Sequence, residues 1–358
     1  MAANNTTYQQ EPLYNEIAKL APLSVAIVIT NTLVVVLFFK KRYLQTIPNY
    51  PLLSLAACDF ITGFVVIPLF ILSMYILTRE SSSKETKTYL SYMVLVLHAL
   101  TSTSAVYHIL VVIADKYFAI VWPRKHRSLE KKTMLKVLAV VWLVSSIISC
   151  IPISWINVSQ KPIARKLFVG YGIFCLVIVF ISSYVCIVYA LVVMFRVISG
   201  KNKHKESALL RRRNTSRNRQ MTNNIYRVCI IFAMMAAVFA VCWLPWFMLT
   251  LLVNLQVHVE NLHSFMEWFV PFRYLTSIIN PLLYTFVKPD FRRAFKELVW
   301  NRIVRTKHPF GSQSNMTRPT TSFLFKTFKS STNTVDVPAL KRGTGIEMIE
   351  NPCFVSSV

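Results

Sequence analysis

Acidic side chains are scarce: 15 Asp and Glu stand against 40 Lys and Arg, leaving a formal net charge of +25. Charge of either sign is thin too, at 15% of 358 residues, where soluble proteins average about 25%. Glycine is down to seven residues. No P-loop, G-x-S-x-G elbow or H-E-x-x-H helix occurs, which removes the commonest enzyme readings. The seven cysteines form no C-x-x-C pair, so zinc and redox chemistry are not expected. Cys58, Cys150, Cys175, Cys186, Cys229 and Cys242 sit in or beside apolar windows, as small hydrophobes do, and Cys353 falls in the tail. The polar opening "MAANNTTYQQEPLYNE" has no charged region leading into an apolar core, so no cleavable signal peptide is expected.

Apolar residues are plentiful, at 54%. They gather into seven windows, roughly 18–39, 48–77, 88–121, 134–155, 167–196, 226–254 and 264–287. Each reaches the roughly 20 residues that a helix needs to cross about 30 Å of hydrocarbon. Lipid offers backbone groups no water, and the windows lack strand alternation, so the fold class expected is an all-α membrane protein with seven transmembrane helices. The basic residues lie between windows and not on one face, so nucleic acid is not an expected partner.

Loop charge orients the bundle. The first connection carries Lys40, Lys41 and Arg42, and the third Arg124, Lys125, Arg127, Lys131 and Lys132. The fifth, around 196–227, has ten Lys and Arg against the single acid Glu206, whereas the sixth has Glu260 and no base. Odd connections are expected in the cytoplasm, with the N-terminus outside and the C-terminus inside. Sequons at Asn4, Asn5 and Asn157 then face the glycosylating side. Four parts follow: an extracellular segment 1–17, a bundle 18–287, an interfacial amphipathic helix 288–300 carrying Phe291, Phe295 and Leu298, and a polar, disordered cytoplasmic tail 301–358.

Polar groups inside the windows stand out because lipid makes them costly. Asp59 is the one acid deep in span two, and Asp115-Lys116-Tyr117 closes span three. Pro68, Pro152, Pro245 and Pro281 interrupt spans, and membrane helices tolerate this where neighbours or water serve the freed carbonyls. For Pro281, Asn280 or water is the expected substitute.

These pieces stand in an order similar to that of the rhodopsin-family (class A) G-protein-coupled receptors over roughly residues 18–299. Asn31 comes first, then "LSLAACD" with Asp59, "ADKYFAIVWP", Trp142, "FAVCWLP" with Phe239, Trp243 and Pro245, and "NPLLY" with Asn280, Pro281 and Tyr284. Spans two, three and seven look closest to the monoamine-receptor branch. The resemblance implies a plasma-membrane receptor that senses an extracellular ligand and activates a heterotrimeric G protein, and implies no enzyme activity. It places a sodium ion and water beside Asp59 and Asn280, with no other cofactor. Trp243 becomes a rotamer switch, Tyr189 and Tyr284 residues that reorganise on activation, and Asp115-Lys116-Tyr117 the counterpart of the family's Asp-Arg-Tyr. Departures are Lys116 for the Arg, Ile225 where many members have an acid, Ile181 where span five has a proline, and Ser91 where an extracellular disulfide begins. Lys116 keeps the charge but loses the planar fork of donors.

The acid that monoamine receptors place in the outer half of span three is here His98. Arg273 lies two turns above Asn280 on the same face, beside Tyr274. Two readings stand: a basic pocket for an anionic small molecule or acidic peptide, or an internally paired Arg273 with a neutral His98. An amine held by Glu267 is a third. A seven-span transporter or channel is the alternative class, although no internal repeat is visible. Anionic lipids suit the basic cytoplasmic face. Ser322, Ser330, Ser331, Thr332 and Thr334 are candidate phosphosites for receptor kinases and arrestin. The ending Ser356-Ser357-Val358 suits a PDZ protein through Ser356 and Val358.

Overall fold

A computed structural model describes residues 3–78, 81–158, 160–206, 215–257, 260 and 262–306. Among the described residues there is no strand. The α-helices are α1 Ala3–Lys40, α2 Tyr50–Ile61, α3 Ile67–Thr78, α4 Lys84–Val121, α5 Pro123–Arg127, α6 Lys131–Cys150, α7 Lys161–Phe174, α8 Ser182–Glu206, α9 Thr215–Leu255, α10 Leu262–Val287 and α11 Pro289–Thr306. Six stretches of the described residues are long and apolar enough to cross a bilayer: Ile17–Lys40, Ile47–Leu77, Lys84–Val121, Lys131–Trp155, Pro162–Ser199 and Tyr226–Leu255. The seventh span is α10. Its 26 residues cover about 39 Å at 1.5 Å per residue, but Arg273, Asn280, Pro271 and Pro281 dilute its apolarity. It closes the bundle by packing on α9 and α1.

Span two is a composite of α2, a wide π turn at Thr62–Val66 and α3. Pro68, the second residue after it, cannot donate an amide hydrogen, and a π turn is one way for a helix to absorb such a gap. Gly63, inside this turn, lets span one come close. Ser24 Oγ donates to the Gly63 carbonyl at 2.6 Å. A Cβ on Gly63 would meet Ile27 Cγ2 at 2.8 Å and the Ser24 carbonyl at 3.0 Å. Overpacking of this kind costs about 1–3 kcal/mol, so Gly63→Val is expected to unfold at lower temperature in detergent. An unchanged melting temperature would show that the two spans separate freely.

Span five has Ile181 where the resemblance led one to expect a proline, yet it leaves α geometry at a second π turn, Cys175–Ile181. The turn presents Phe180, 4% exposed, to Tyr184, Phe239 and Phe247 at 4.5, 6.4 and 5.6 Å between ring centres. The start of α4 is capped by Ser83, whose Oγ accepts the Thr86 amide. The end of α9 closes on Gln256, the one described non-glycine residue at positive φ, 57°. The Val257 amide reaches back to the Leu252 carbonyl at 3.1 Å, the reversal that usually recruits glycine.

After span seven, α11 begins at Pro289 with Asp290 in its first turn, both favoured at a helix start. It continues six residues beyond the expected end at 300. Its apolar stripe faces the bundle: Phe291 lies 5.5 Å from Tyr284 and Phe295 5.3 Å from Phe286. Phe291 and Ala294 are fully buried. The tail beyond 306, with the candidate phosphosites, Cys353, Ser356 and Val358, lies outside the described residues.

Candidate functional site

Three polar levels follow one another down the bundle, and α10 contributes to each. The outer level gathers on Arg273, a charged side chain only 2% exposed. Its Nη2 donates to the Tyr274 hydroxyl at 3.1 Å and to His98 Nε2 at 3.3 Å. Because guanidinium only donates, this bond leaves His98 neutral with the hydrogen on Nδ1, an assignment made from bonding. The Tyr274 hydroxyl lies 3.1 Å from the same Nε2. The Arg273 guanidinium carbon stands 4.0 Å from the Trp246 ring centre, 4.8 Å from Tyr274 and 5.6 Å from Phe70, in cation–π range. No carboxylate of the described residues pairs with it, and its Nε is buried without a partner. The expected grouping of His98, Arg273 and Tyr274 is therefore present. Glu267 is exposed near the outer end of α10, unlike the buried Arg273.

The middle level is built around Trp243, the residue expected to act as a rotamer switch. Trp243 Nε1 donates to Thr276 Oγ1 at 3.3 Å, and that hydroxyl donates to the Arg273 carbonyl at 2.9 Å. Phe239 stacks on Trp243 with 5.5 Å between centres and 12° between planes. One residue along, Ser277 Oγ donates to Asp59 Oδ1 at 2.6 Å. Pro281 removes the amide that would bond the Ser277 carbonyl, and that carbonyl instead accepts Asn31 Nδ2 from span one at 2.9 Å. This corrects the expectation that Asn280 or water would serve it. Asp59 Oδ2, Asn31 Oδ1 and both polar atoms of Asn280 are buried with no protein partner. The three oxygens among them suit water or a small alkali cation, and the Asn280 amide nitrogen suits a water.

At the third level, where span three ends, Asp115 is held twice. Lys116 Nζ lies 2.6 Å from Oδ2 and His126 Nε2 2.8 Å from Oδ1. His126 comes from α5 and was not singled out in the sequence, where it reads as one of several basic loop residues. Tyr284 is fully buried, whereas Tyr189 is 63% exposed and stands 6.4 Å from the Tyr117 ring. The two tyrosines are thus apart here. Lys288 is a second residue the sequence did not mark. It is buried, bonds Asn49 Oδ1, and pairs with Asp290 at 2.8 Å, joining the start of span two to α11. Burial pushes its ammonium down to about 8, with Asp290 opposing the shift. On the surface nearby, hydrogen bonds from Lys41 and Arg293 hold the Glu297 carboxyl down to about 2.

A further polar knot ties spans two, three and four. Trp142 Nε1 donates to Ser54 Oγ at 3.0 Å, Ser54 donates to His108 Nε2 at 2.7 Å, and His108 Nδ1 donates to the Ser104 carbonyl at 2.7 Å. Trp142 was legible as a span-four marker, but its partners were not. The described cysteines are free thiols, and Ser91 bonds the Lys87 carbonyl one turn back. Asn157 is exposed in the turn after α6, while Asn4 and Asn5 belong to the first turns of α1.

The apolar helices and the polar seam running through all three levels define a seven-helix membrane receptor. Comparison with known families agrees. The family model for 7 transmembrane receptor (rhodopsin family) matches residues 30–284, and the chain belongs to that family of G-protein-coupled receptors. Among its relatives, the human adenosine receptor A2a is 24% identical over 328 residues, 83% of this chain and 74% of the relative. The receptor of the same name from Canis lupus familiaris is 24% identical over 320 residues, 80% and 73% of the two chains. That from Equus caballus is 23% identical over 312 residues, 79% and 71%. None of these three is a monoamine receptor.

Proposed function

We propose that this receptor binds its ligand in the outer half of spans two, three, six and seven, above Trp243, and passes the event to a G protein through α10. The observation that carries this reading is the run Arg273–Ser277. Within little more than one turn it touches the outer cluster, Trp243 through Thr276, and Asp59 through Ser277. A ligand that moves Arg273 moves all three. In the inactive state Asp59 and Asn280, with Asn31, hold water or a sodium ion. Phe239, Trp243, Pro245, Pro281 and Tyr284 are the elements that repack. Asp115, Lys116, Tyr117 and Tyr189 form the cytoplasmic end of the switch. The N-terminus and Asn157 face outside and the tail faces the cytoplasm of a cell whose plasma membrane holds the receptor. There receptor kinases, arrestin, anionic lipids and a PDZ protein are the expected further partners.

Adenosine is the ligand that the relatives' names suggest, and a monoamine the one suggested by spans two, three and seven. An amine reading lacks its counter-charge, because His98 occupies the place of the acid and a buried cation already stands beside it. An anionic ligand supplies what Arg273 lacks. Two classes compete with G-protein coupling: a transporter or channel, and a receptor of this fold that does not couple. Nucleotide exchange on a purified heterotrimer, run with membranes holding the full chain, separates them from solute flux through the same membranes. Lys116→Arg restores the forked donor and is expected to increase exchange. Flux without exchange supports a transporter, and no gain from Lys116→Arg supports the uncoupled receptor.

A further inference from the structure

We infer that Arg273 is the anchor for a small organic anion, a carboxylate or phosphate on a flat apolar body, which the receptor recognises by its negative charge. This rests on the proposed ligand site and gives that site its chemical class. Four observations carry it. The guanidinium is 2% exposed, and it lies within the membrane-spanning part of α10. All its protein partners are neutral: the Tyr274 hydroxyl and the His98 ring bond Nη2, and Trp246, Tyr274 and Phe70 cover its faces. Its Nε has no partner at all. His98, which bonds the guanidinium, is itself only half-buried.

A buried cation of this kind is expensive unless an anion meets it. Aromatic faces return part of that cost through cation–π contact, but they leave the charge in place. The missing partner must therefore come from outside the chain. Its charge is set by the site: one cation and a neutral histidine call for one negative charge. Its body is set by Trp246 and Phe70, which favour stacking against a ring. The free Nε–H gives one oxygen a direct donor, and charge-assisted bonds of this type discriminate strongly against neutral isosteres. A neutral nucleoside leaves the guanidinium as it finds it, and an amine adds a second positive charge next to the first.

The test uses purified full-length receptor and four sets of probes: aryl acetates, aryl phosphates, adenosine, and arylalkyl amines matched in ring to the acetates. Melting temperature reports binding without any need for coupling, and nucleotide exchange reports signalling. Acetates or phosphates are expected to raise the melting temperature while adenosine and the amines do not, and comparison of the two anion sets tells carboxylate from phosphate. In Arg273→Met the stabilising concentration is expected to rise about ten- to hundredfold, the loss of one charge-assisted bond. The unliganded variant should melt no lower than the native receptor, because an unpaired buried charge has gone. A drop in that melting temperature marks Arg273 as a structural residue and overturns the inference. So does adenosine or an amine that stabilises the receptor equally with and without Arg273, or a native receptor that no anion stabilises. Anions that stabilise without driving exchange leave the anchor standing and count only against G-protein coupling.

Discussion

Asp115→Asn is expected to lower the melting temperature of the receptor and to raise nucleotide exchange in the absence of ligand. The Asp115 side chain is 1% exposed and that of Lys116 15%. Removing one member of a buried pair costs about 3–5 kcal/mol, because the survivor is left charged and unmatched. Lys116 sits near the end of span three and can stretch toward water, which places the expected loss at the lower end of that range. Asn keeps an acceptor for His126 but gives up the negative charge. With Ile225 where other members have an acid, Asp115 is the described carboxylate that holds Lys116, so its removal frees that ammonium for a cytoplasmic partner. The double variant Asp115→Asn with Lys116→Met should recover most of the lost stability. If the single variant changes neither melting temperature nor basal exchange, this pair does not restrain the receptor.

Ser54→Ala is expected to cost about 2 kcal/mol, although it removes only one oxygen atom from a half-buried side chain. That oxygen accepts from Trp142 and donates to His108, so its loss strands two groups inside the bundle. A stranded buried group costs about 1–3 kcal/mol in water-soluble proteins. Hydrogen bonds between membrane helices average only about 0.6 kcal/mol, which pulls the sum down. Ser102→Ala is the control: the Ser102 hydroxyl bonds the Ala99 carbonyl of its own helix and should be nearly silent. Adding Trp142→Phe to Ser54→Ala should give back part of the loss, since the stranded N–H disappears with the indole. Thermal unfolding of the four proteins in one detergent decides the matter, and equal effects of Ser54→Ala and Ser102→Ala would dissolve the knot into unrelated contacts.

The charged positions within the spans were visible in the sequence alone. Asp59, Asp115, Lys116 and Arg273 each break an apolar run, and a charge in such a run is costly wherever the neighbours happen to be. What could not be seen was the other half of each interaction. The carbonyl freed by Pro281 was expected to turn to the adjacent Asn280 or to water, yet Asn31, 246 positions away from Ser277 in sequence, serves it. Neither His126 nor Lys288 was singled out in the sequence. In the folded chain one fastens Asp115 and the other is buried against Asn49 and Asp290. Phe291 and Phe295 read as a stripe for the lipid interface and turned out to pack on span seven.

The sequence by itself determined the number of crossings, the family, and the positions that carry charge in the membrane. Hydrocarbon acts on each stretch of about 20 residues locally, and it needs no knowledge of the other helices. Only the tertiary structure decided who satisfies whom. Partnership depends on the rotation and depth of each helix against its neighbours, and those are set by packing between segments far apart in the chain. That is why the buried cation of span seven was legible as a residue, while its neutral surroundings, the property that calls for an anion, came only from the fold.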